Sequence, residues 1–321
     1  MDDLQSNYTP SGFEWLAREP EFNPSKHLAL EAPALVETLY DFGYGQDDVA
    51  QCPSDFAVSA VFRVLSDEGA ACLLDVCRQL SAHTSSNARI ERNCRGGVYR
   101  SRFLRDMCLS PDIKDFMSQI AGVALMPHTI SHQLGHLNYN PHQLGKNVDK
   151  WHVDTLRYDY VMFVTDPKAV VGGEFQYFKG TKHEMADFKR LGQEVPSDRI
   201  ISPEMPGPGY AIMQQGNMVV HQAKGLRASG ERITMVNGYV AADALIEDFT
   251  RYDQLKLVDP ADVATTEYAR HHAQLAMRLI DQAGFVADDK VHIANLREAA
   301  RRLAAVADEI EQTGDVEIDH Y

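Results

Sequence analysis

Between about residues 123 and 242 the chain is broken into short β-rich runs, each closed by Gly, Pro, Asn or Asp. Strands are expected near 129–139, 151–155, 158–165, 173–178, 209–214, 217–221 and 232–240. Many short strands with turn residues between them leave a sandwich or a barrel as the way to bury one face of each. The flanks read differently. A helix candidate runs from Leu28 to Tyr40, and a clearer one covers about 67–81, with Ser66 as its cap and Asp67 and Glu68 at the positive end of its dipole. Ser110-Pro111 opens another, with Ser110 as capping residue, proline at its first position and Gly122 as its stop. Helical spacing returns at 263–283 and 290–312, where Leu296, Ala300, Leu303, Val306 and Ile310 form a stripe. The architecture expected is a mainly β core with α-helical flanks. The segments are a mainly helical region over 1–122, the β core over 123–245 and C-terminal helices over 246–321, all in one integrated domain. The last helix reads as a packing helix, with a homodimer contact as the second reading.

Composition narrows the function. The 321 residues carry a formal net charge of −15, against a role that depends on gripping phosphate backbones, so no nucleic-acid partner is expected. The basic stretch "CRGGVYRSRFLR" at 94–105 reads as a solvated face or loop. No apolar stretch approaches the length of a membrane helix, and the acidic, polar start does not read as a secretory signal. The five cysteines, Cys52, Cys72, Cys77, Cys94 and Cys108, form no C-x-x-C pair and suggest reduced thiols in the cytoplasm.

The chemistry starts at "KWHVDT". If the run is a strand, His152 and Asp154 lie two apart and project to one face, imidazole beside carboxylate. That is half a metal site or an ordinary polar pair. His221, at the end of the β-rich run in "GNMVVHQAKG", supplies a third donor. Two histidines and one carboxylate form the facial triad that holds Fe(II) and leaves positions open. In a chain with 13 histidines an H-x-D is weak by itself. The next run, "SGERITMVNGY", strengthens it, because Arg232 and Thr234 would share a strand face. An arginine fork with a hydroxyl beside it suits a carboxylate. A metal with a carboxylate clamp one strand away suits 2-oxoglutarate, which chelates through its oxo acid and presents a second carboxylate.

At this point the stretch from about 134 to 240 resembles the Fe(II)/2-oxoglutarate-dependent dioxygenase superfamily. Its H-x-D…H motif matches His152, Asp154 and His221, and its arginine a short way beyond the second histidine matches Arg232. Its R-x-S/T variant matches Arg232 and Thr234. The strand tyrosine of other branches resembles Tyr139, and the glycine pair after H-x-D resembles Gly172-Gly173. The resemblance implies a double-stranded β-helix, or jelly roll, and an oxygenase using Fe(II), O2 and the cosubstrate 2-oxoglutarate. Succinate and CO2 would form as a small-molecule substrate, an amino acid or secondary metabolite, is hydroxylated. Halogenating relatives lack the carboxylate that Asp154 provides here, which disfavours halogenation.

Arg232, Thr234 and Tyr139 are therefore expected at the cosubstrate. Arg232 and a strand tyrosine belong to different binding styles, and only one pair of His136/Asn138 and Leu137/Tyr139 can face the cavity. Arg157, Tyr158, His136 and Gln214 are expected near the substrate, with an exposed strand end as the plain alternative for Arg157 and Tyr158. His128, His132, His142 and His183 read as surface or packing residues. Loops 140–150 and 179–208 are expected to frame the cavity mouth, the second as a lid. Two rival functions remain: a protein or peptide hydroxylase of the same mechanism, and a non-redox, cupin-like metal binder, which would need the triad but not Arg232.

Overall fold

The structure, a computed structural model, describes residues 10–314 and Tyr321. Fourteen strands are present among the described residues. The first seven are β1 (Leu28–Glu31), β2 (Val36–Thr38), β3 (Phe56–Ser59), β4 (Phe62–Leu65), β5 (Asn93–Cys94), β6 (Leu125–Pro127) and β7 (His136–Tyr139). The others are β8 (Asp149–His152), β9 (Tyr158–Phe163), β10 (Phe175–Phe178), β11 (Ile200–Ile201), β12 (Tyr210–Gln214), β13 (His221–Ala223) and β14 (Ile233–Ala241). They form two antiparallel sheets. The larger runs β1-β4-β12-β9-β14-β7-β5, with β3 also on β12, β2 on β3 and β6 on β14. The smaller runs β11-β10-β13-β8.

Side-chain alternation along the large sheet divides the molecule. On β9, Tyr158, Tyr160 and Met162 join Leu137 and Tyr139 of β7 and Met235 and Tyr239 of β14 in one buried cluster. Helices Asp67–Leu80, Arg102–Cys108 and Pro111–Ala121 cover it with Leu73, Cys77, Phe103, Met107, Ile113 and Met117. The opposite parity, Val161 and Phe163 of β9, Ile212 of β12 and Val236 of β14, packs against Phe175 and Tyr177 of the small sheet. A period of two thus sends alternate residues to a helix-covered core and to the space between the sheets.

The helix at Asp67–Leu80 is capped as expected, the Gly69 N–H donating to the Ser66 hydroxyl. Pro111–Ala121 ends on Gly122 in the left-handed region, but the Ser110 side chain makes no capping bond. The last two helices, Ala261–Asp281 and Asp289–Gln312, follow the expected periodicity. On the second of them, Ala299 and Val306 are buried while Leu296 and Leu303 of the expected stripe are exposed.

Several expectations fail. Leu28–Tyr40 is not a helix. Leu28 and Glu31 pair with Leu65 and Arg63, Pro33 interrupts the run, and Val36–Thr38 pairs with β3. Pairing partners distant in sequence decided this segment over local propensity. The run expected at 129–139 is a strand only at β7, with a 3₁₀ turn at Ser131–Gln133 before it, and the preceding strand β6 ends at Pro127. The strand expected at 217–221 begins only at His221. The 179–208 segment is not one long loop: it holds the helix Lys182–Leu191, closed by a capping box between Thr181 and Glu184.

Candidate metal and cosubstrate site

His152 ends β8 and lies directly across from His221 on β13, so the pairing of the two strands sets the histidine pair. Their ring centroids are 4.1 Å apart. Asp154 lies beyond the end of the strand, where its N–H donates to the Gly216 carbonyl at 2.9 Å. The simple strand alternation expected for His152 and Asp154 is therefore not what joins them. A turn folds the carboxylate back, leaving its oxygens 3.5 Å from His152 Nε2 and 3.3 Å from His221 Nε2. The three side chains offer donor atoms all within 4.8 Å of one another.

Each imidazole is oriented by a backbone carbonyl two residues earlier. His152 Nδ1 lies 2.6 Å from the Lys150 oxygen, and His221 Nδ1 lies 2.9 Å from the Val219 oxygen. A carbonyl only accepts, so each Nδ1 carries a proton and each Nε2 points inward. Burial lowers the His152 pKa, and Arg89 lowers it further. Burial would also lower that of His221, but Asp154 outweighs it and the result is raised. For Asp154, burial pushes upward, yet His221 and His152 hold the carboxyl well below its usual range. Two imidazoles and a carboxylate converging on one point suit a divalent metal with nitrogen and oxygen preference.

Three surrounding residues, Arg89, Asp149 and Asp159, carry no motif signal, and they join the expected Gln214 around the triad. Arg89 donates from Nε to Asp149 at 2.6 Å and from Nη2 to Asp154 at 3.3 Å. Gln214 donates to Asp159 at 3.1 Å and sits 3.1 Å from His221 Nε2. Asp159 is wholly buried, and its Oδ2 has no hydrogen-bond partner. Burial and then Asp154 raise its pKa well above the ordinary value. Its parity within "YDYVMF" was the one available clue, since a carboxylate alternating with core tyrosines must face between the sheets.

Arg232, at the edge of β14, is 1% exposed. Its Nε donates to the Gly173 carbonyl at 2.8 Å, Nη1 reaches the Thr234 hydroxyl at 3.3 Å, and the guanidinium lies 5.4 Å from the Phe163 ring centroid. Burial brings its pKa down to about 10, which leaves it charged at neutral pH. Gly173 has φ +77°, and a Cβ there would stand 2.8 Å from Arg232 Cδ. The glycine pair is thus more than a hairpin turn, because the arginine lies against its backbone.

The triad, Arg232 and Thr234 line one cavity of about 560 Å³. The Halogenase D family model matches residues 59–259, more than half of the chain and all of these residues. The chain belongs to the Halogenase D family. This match is consistent with the superfamily read from the H-x-D…H…R-x-T pattern. No curated protein matches the sequence.

Among solved structures, the chain is similar to the non-heme alpha ketoglutarate dependent carbocyclase SnoK from nogalamycin biosynthesis. Identity is 15%, coverage is 64% of this chain and 87% of SnoK, and the TM-score is 0.44. EctD from S. alaskensis with 2-oxoglutarate and 5-hydroxyectoine is 16% identical, with coverage of 73% and 86% and a TM-score of 0.42. HygX from Streptomyces hygroscopicus with nickel and 2-oxoglutarate is 11% identical, with coverage of 58% and 83% and a TM-score of 0.41. Likenesses this distant do not bear on substrate or reaction outcome.

Of the other expected site residues, His136, Asn138 and Arg157 line the cavity. Tyr139 does not. It faces the helix-covered core, its hydroxyl donating to the Cys77 carbonyl at 2.7 Å, because the pleat gives the cavity to His136 and Asn138. Tyr158 also faces that core and meets the Ser54 hydroxyl at 3.0 Å. Gln214 touches His221 but does not line the cavity. The walls differ from expectation too. Asp149 alone comes from 140–150, and Lys182 and His183 alone from 179–208, while segments 48–52, 87–95 and 249–258 contribute more. Arg95 of the basic stretch is not a solvated charge, since it pairs with the buried Asp259, which also meets His132 Nδ1 at 2.9 Å.

A second histidine group, His128, Asp248 and His271, has donor atoms equally close together. Its rings stack at 4.6 Å. His128 Nδ1 accepts from the Ile130 N–H and Gln133, and its Nε2 meets Thr250. His271 Nε2 meets Asp248, and its Nδ1 meets Thr129. Every ring nitrogen has a protein partner, which makes the group a hydrogen-bonded tie between the 128–133 turn and helix Ala261–Asp281.

Proposed function

We propose that this protein binds Fe(II) through His152, Asp154 and His221 and 2-oxoglutarate through Arg232 and Thr234, and hydroxylates a small molecule, either an amino acid or a secondary metabolite. We propose further that its two sheets are the halves of a double-stranded β-helix, carried with both helical flanks in one domain. The observation that carries the reading is Arg232: a buried, charged guanidinium with no ion-pair partner among the described residues, in the cavity onto which the three donor side chains converge. Leaving such a charge unmatched is costly, and the distal carboxylate of 2-oxoglutarate would match it. A non-redox metal binder gives no account of it.

The donor set fits ferrous iron, which when bound would couple O2 reduction to oxidation of 2-oxoglutarate to succinate and CO2. The chain's residues do the positioning. Lys150 and Val219 fix the histidine tautomers through their carbonyls. Arg89 holds one oxygen of Asp154 and restrains its carboxylate. Gly173 and Thr234 aim the Arg232 fork. Phe175 and Val161 supply apolar wall, which keeps the cavity from filling with competing water.

Halogenation, the activity in the family's name, is not favoured. Asp154 occupies as a donor the position that a halide would need. The test is succinate release across a panel of amino acids, peptides and metabolites, with products analysed in the presence of chloride. A substrate that triggers succinate should leave with an added oxygen. A chlorinated product would overturn the hydroxylase reading, and a response confined to peptides would favour the peptide hydroxylase.

A further inference from the structure

Six cationic side chains line the cavity, and four of them are accounted for. Arg89 pairs with Asp149 and Asp154, Arg95 with Asp259 and Arg251 with Asp253, while Arg232 is assigned to the cosubstrate. Arg157 and Lys182 remain. Arg157 is only 5% exposed, yet among the described residues its guanidinium meets two backbone carbonyls, Glu247 at 3.0 Å and Gln51 at 3.4 Å, and lies over the Phe249 ring at 4.2 Å. Lys182 Nζ has the Asn217 carbonyl and the Met218 sulfur, both at 3.3 Å. Neither forms an ion pair among the described residues. Burial pushes the Cys52 thiol up, and Arg157 and Lys182 pull against it, so both charges act at this sulfur, which is within hydrogen-bonding reach of Arg157. The nearby Asp48 carboxylate is turned to His183 at 3.3 Å.

Carbonyls and a ring face solvate a buried guanidinium only in part, and its full complement is an oxyanion. A lysine beside it doubles the positive charge, which a structural role alone would not require. We propose that Arg157 and Lys182 form an anion subsite in the cavity, on its Cys52 side, that receives a carboxylate or phosphate-type group of the substrate. It rests on the oxygenase reading only for the identity of its occupant. A substrate anchored there would extend from the Arg157–Lys182 pair towards the triad in the same cavity, so the reaction would fall at a carbon set back from the anionic end.

The test needs neither iron nor 2-oxoglutarate. Cys52 is half-buried where the charges of both cations reach it, and Cys72 is half-buried where those of Glu68 and Asp75 do. The metal-free, full-length protein is alkylated with iodoacetate or iodoacetamide, and the rate at each cysteine is read by peptide mass spectrometry. The iodoacetate-to-iodoacetamide rate ratio should be about tenfold or more higher at Cys52 than at Cys72, as focusing by paired cations implies. Malonate and inorganic phosphate should both slow the Cys52 reaction, and whichever protects at lower concentration identifies the oxyanion. Arg157→Gln and Lys182→Gln should each lower the Cys52 ratio towards that of Cys72, and Lys182→Gln, at a less buried position, keeps the test alive if Arg157→Gln fails to fold. Equal ratios at the two cysteines, a Cys52 inert to both reagents, or a ratio indifferent to both substitutions would overturn the subsite. Because no metal is present, these results stand apart from success or failure of the oxygenase reading.

Discussion

Gly173→Ala probes the cosubstrate clamp without touching any group that would contact ligand. The position has φ +77°, where an L-residue costs about 1–2 kcal/mol. The added methyl would stand 2.8 Å from Arg232 Cδ, 3.0 Å from its Nε and 3.0 Å from Leu226 Cδ2. None of these can swing away cheaply, since the guanidinium is buried and its Nε bond to this same residue is 2.8 Å long. Weakening that charge-assisted bond puts a further ~1.5–3 kcal/mol at risk. Stability should therefore fall by about 2–4 kcal/mol, the sum of strain and a partly lost bond. A fork displaced by a few tenths of an ångström should weaken 2-oxoglutarate about tenfold, equivalent to ~1.4 kcal/mol. Metal affinity should hold, because the triad is carried by β8, the turn after it and β13. Urea unfolding and anaerobic 2-oxoglutarate titration read the two effects. A variant as stable as wild type that also binds 2-oxoglutarate equally well would refute the claim that Gly173 seats the arginine.

Asp154→Ala and His221→Ala should each leave little iron after anaerobic reconstitution, measured by metal analysis of the desalted protein, and wild-type iron content in both would remove the triad. Tyr139→Phe should cost about 1 kcal/mol of stability through the lost bond to Cys77 and leave 2-oxoglutarate affinity unchanged; weaker binding would return Tyr139 to the cosubstrate. Asp259→Asn should destabilise the protein by about 3–5 kcal/mol near neutral pH, because it breaks a buried pair with Arg95. Burial works to raise the Asp259 pKa, but Arg95 and His132 hold it far below the ordinary 3.8. A depressed folded-state pKa gives stability that is present above the unfolded value and lost as pH falls through the folded one. The gap between wild type and variant should therefore narrow below about pH 4, and a gap constant from neutral to strongly acid pH would contradict it.

The site was legible where chemistry repeats in a short pattern. H-x-D, a later histidine and R-x-T named five residues that the fold brings to one cavity, although Asp154 arrives by a turn and not by strand alternation. The parity of "HLNY" could not be read alone. Its orientation depends on the helix Asp67–Leu80, which offers the Cys77 carbonyl to Tyr139 from 62 residues away. Arg89 and Lys182 escaped notice for a related reason. Each reaches the cavity from a segment whose local sequence encodes a loop or a helix start, and only long-range packing turns it inward. The misread helix at Leu28–Tyr40 belongs to the same class, since its strands exist because Leu65, Arg63 and Ser59 supply edges to pair with. Patterns of two and 3.6 report which face is apolar, and they are silent about which distant segment will cover it.

The most direct measurement is anaerobic titration of the Fe(II)-loaded protein with 2-oxoglutarate, following the metal-to-ligand charge-transfer absorption of a 2-oxo acid on ferrous iron, in wild type and Arg232→Ala. Wild type should develop the band and saturate. The variant should retain its iron and require 2-oxoglutarate concentrations higher by the equivalent of about 2–5 kcal/mol, the cost of breaking a buried charge pair on one side. A wild type without the band, or a variant that titrates like wild type, would contradict the assignment and leave a metal-binding protein without the cosubstrate.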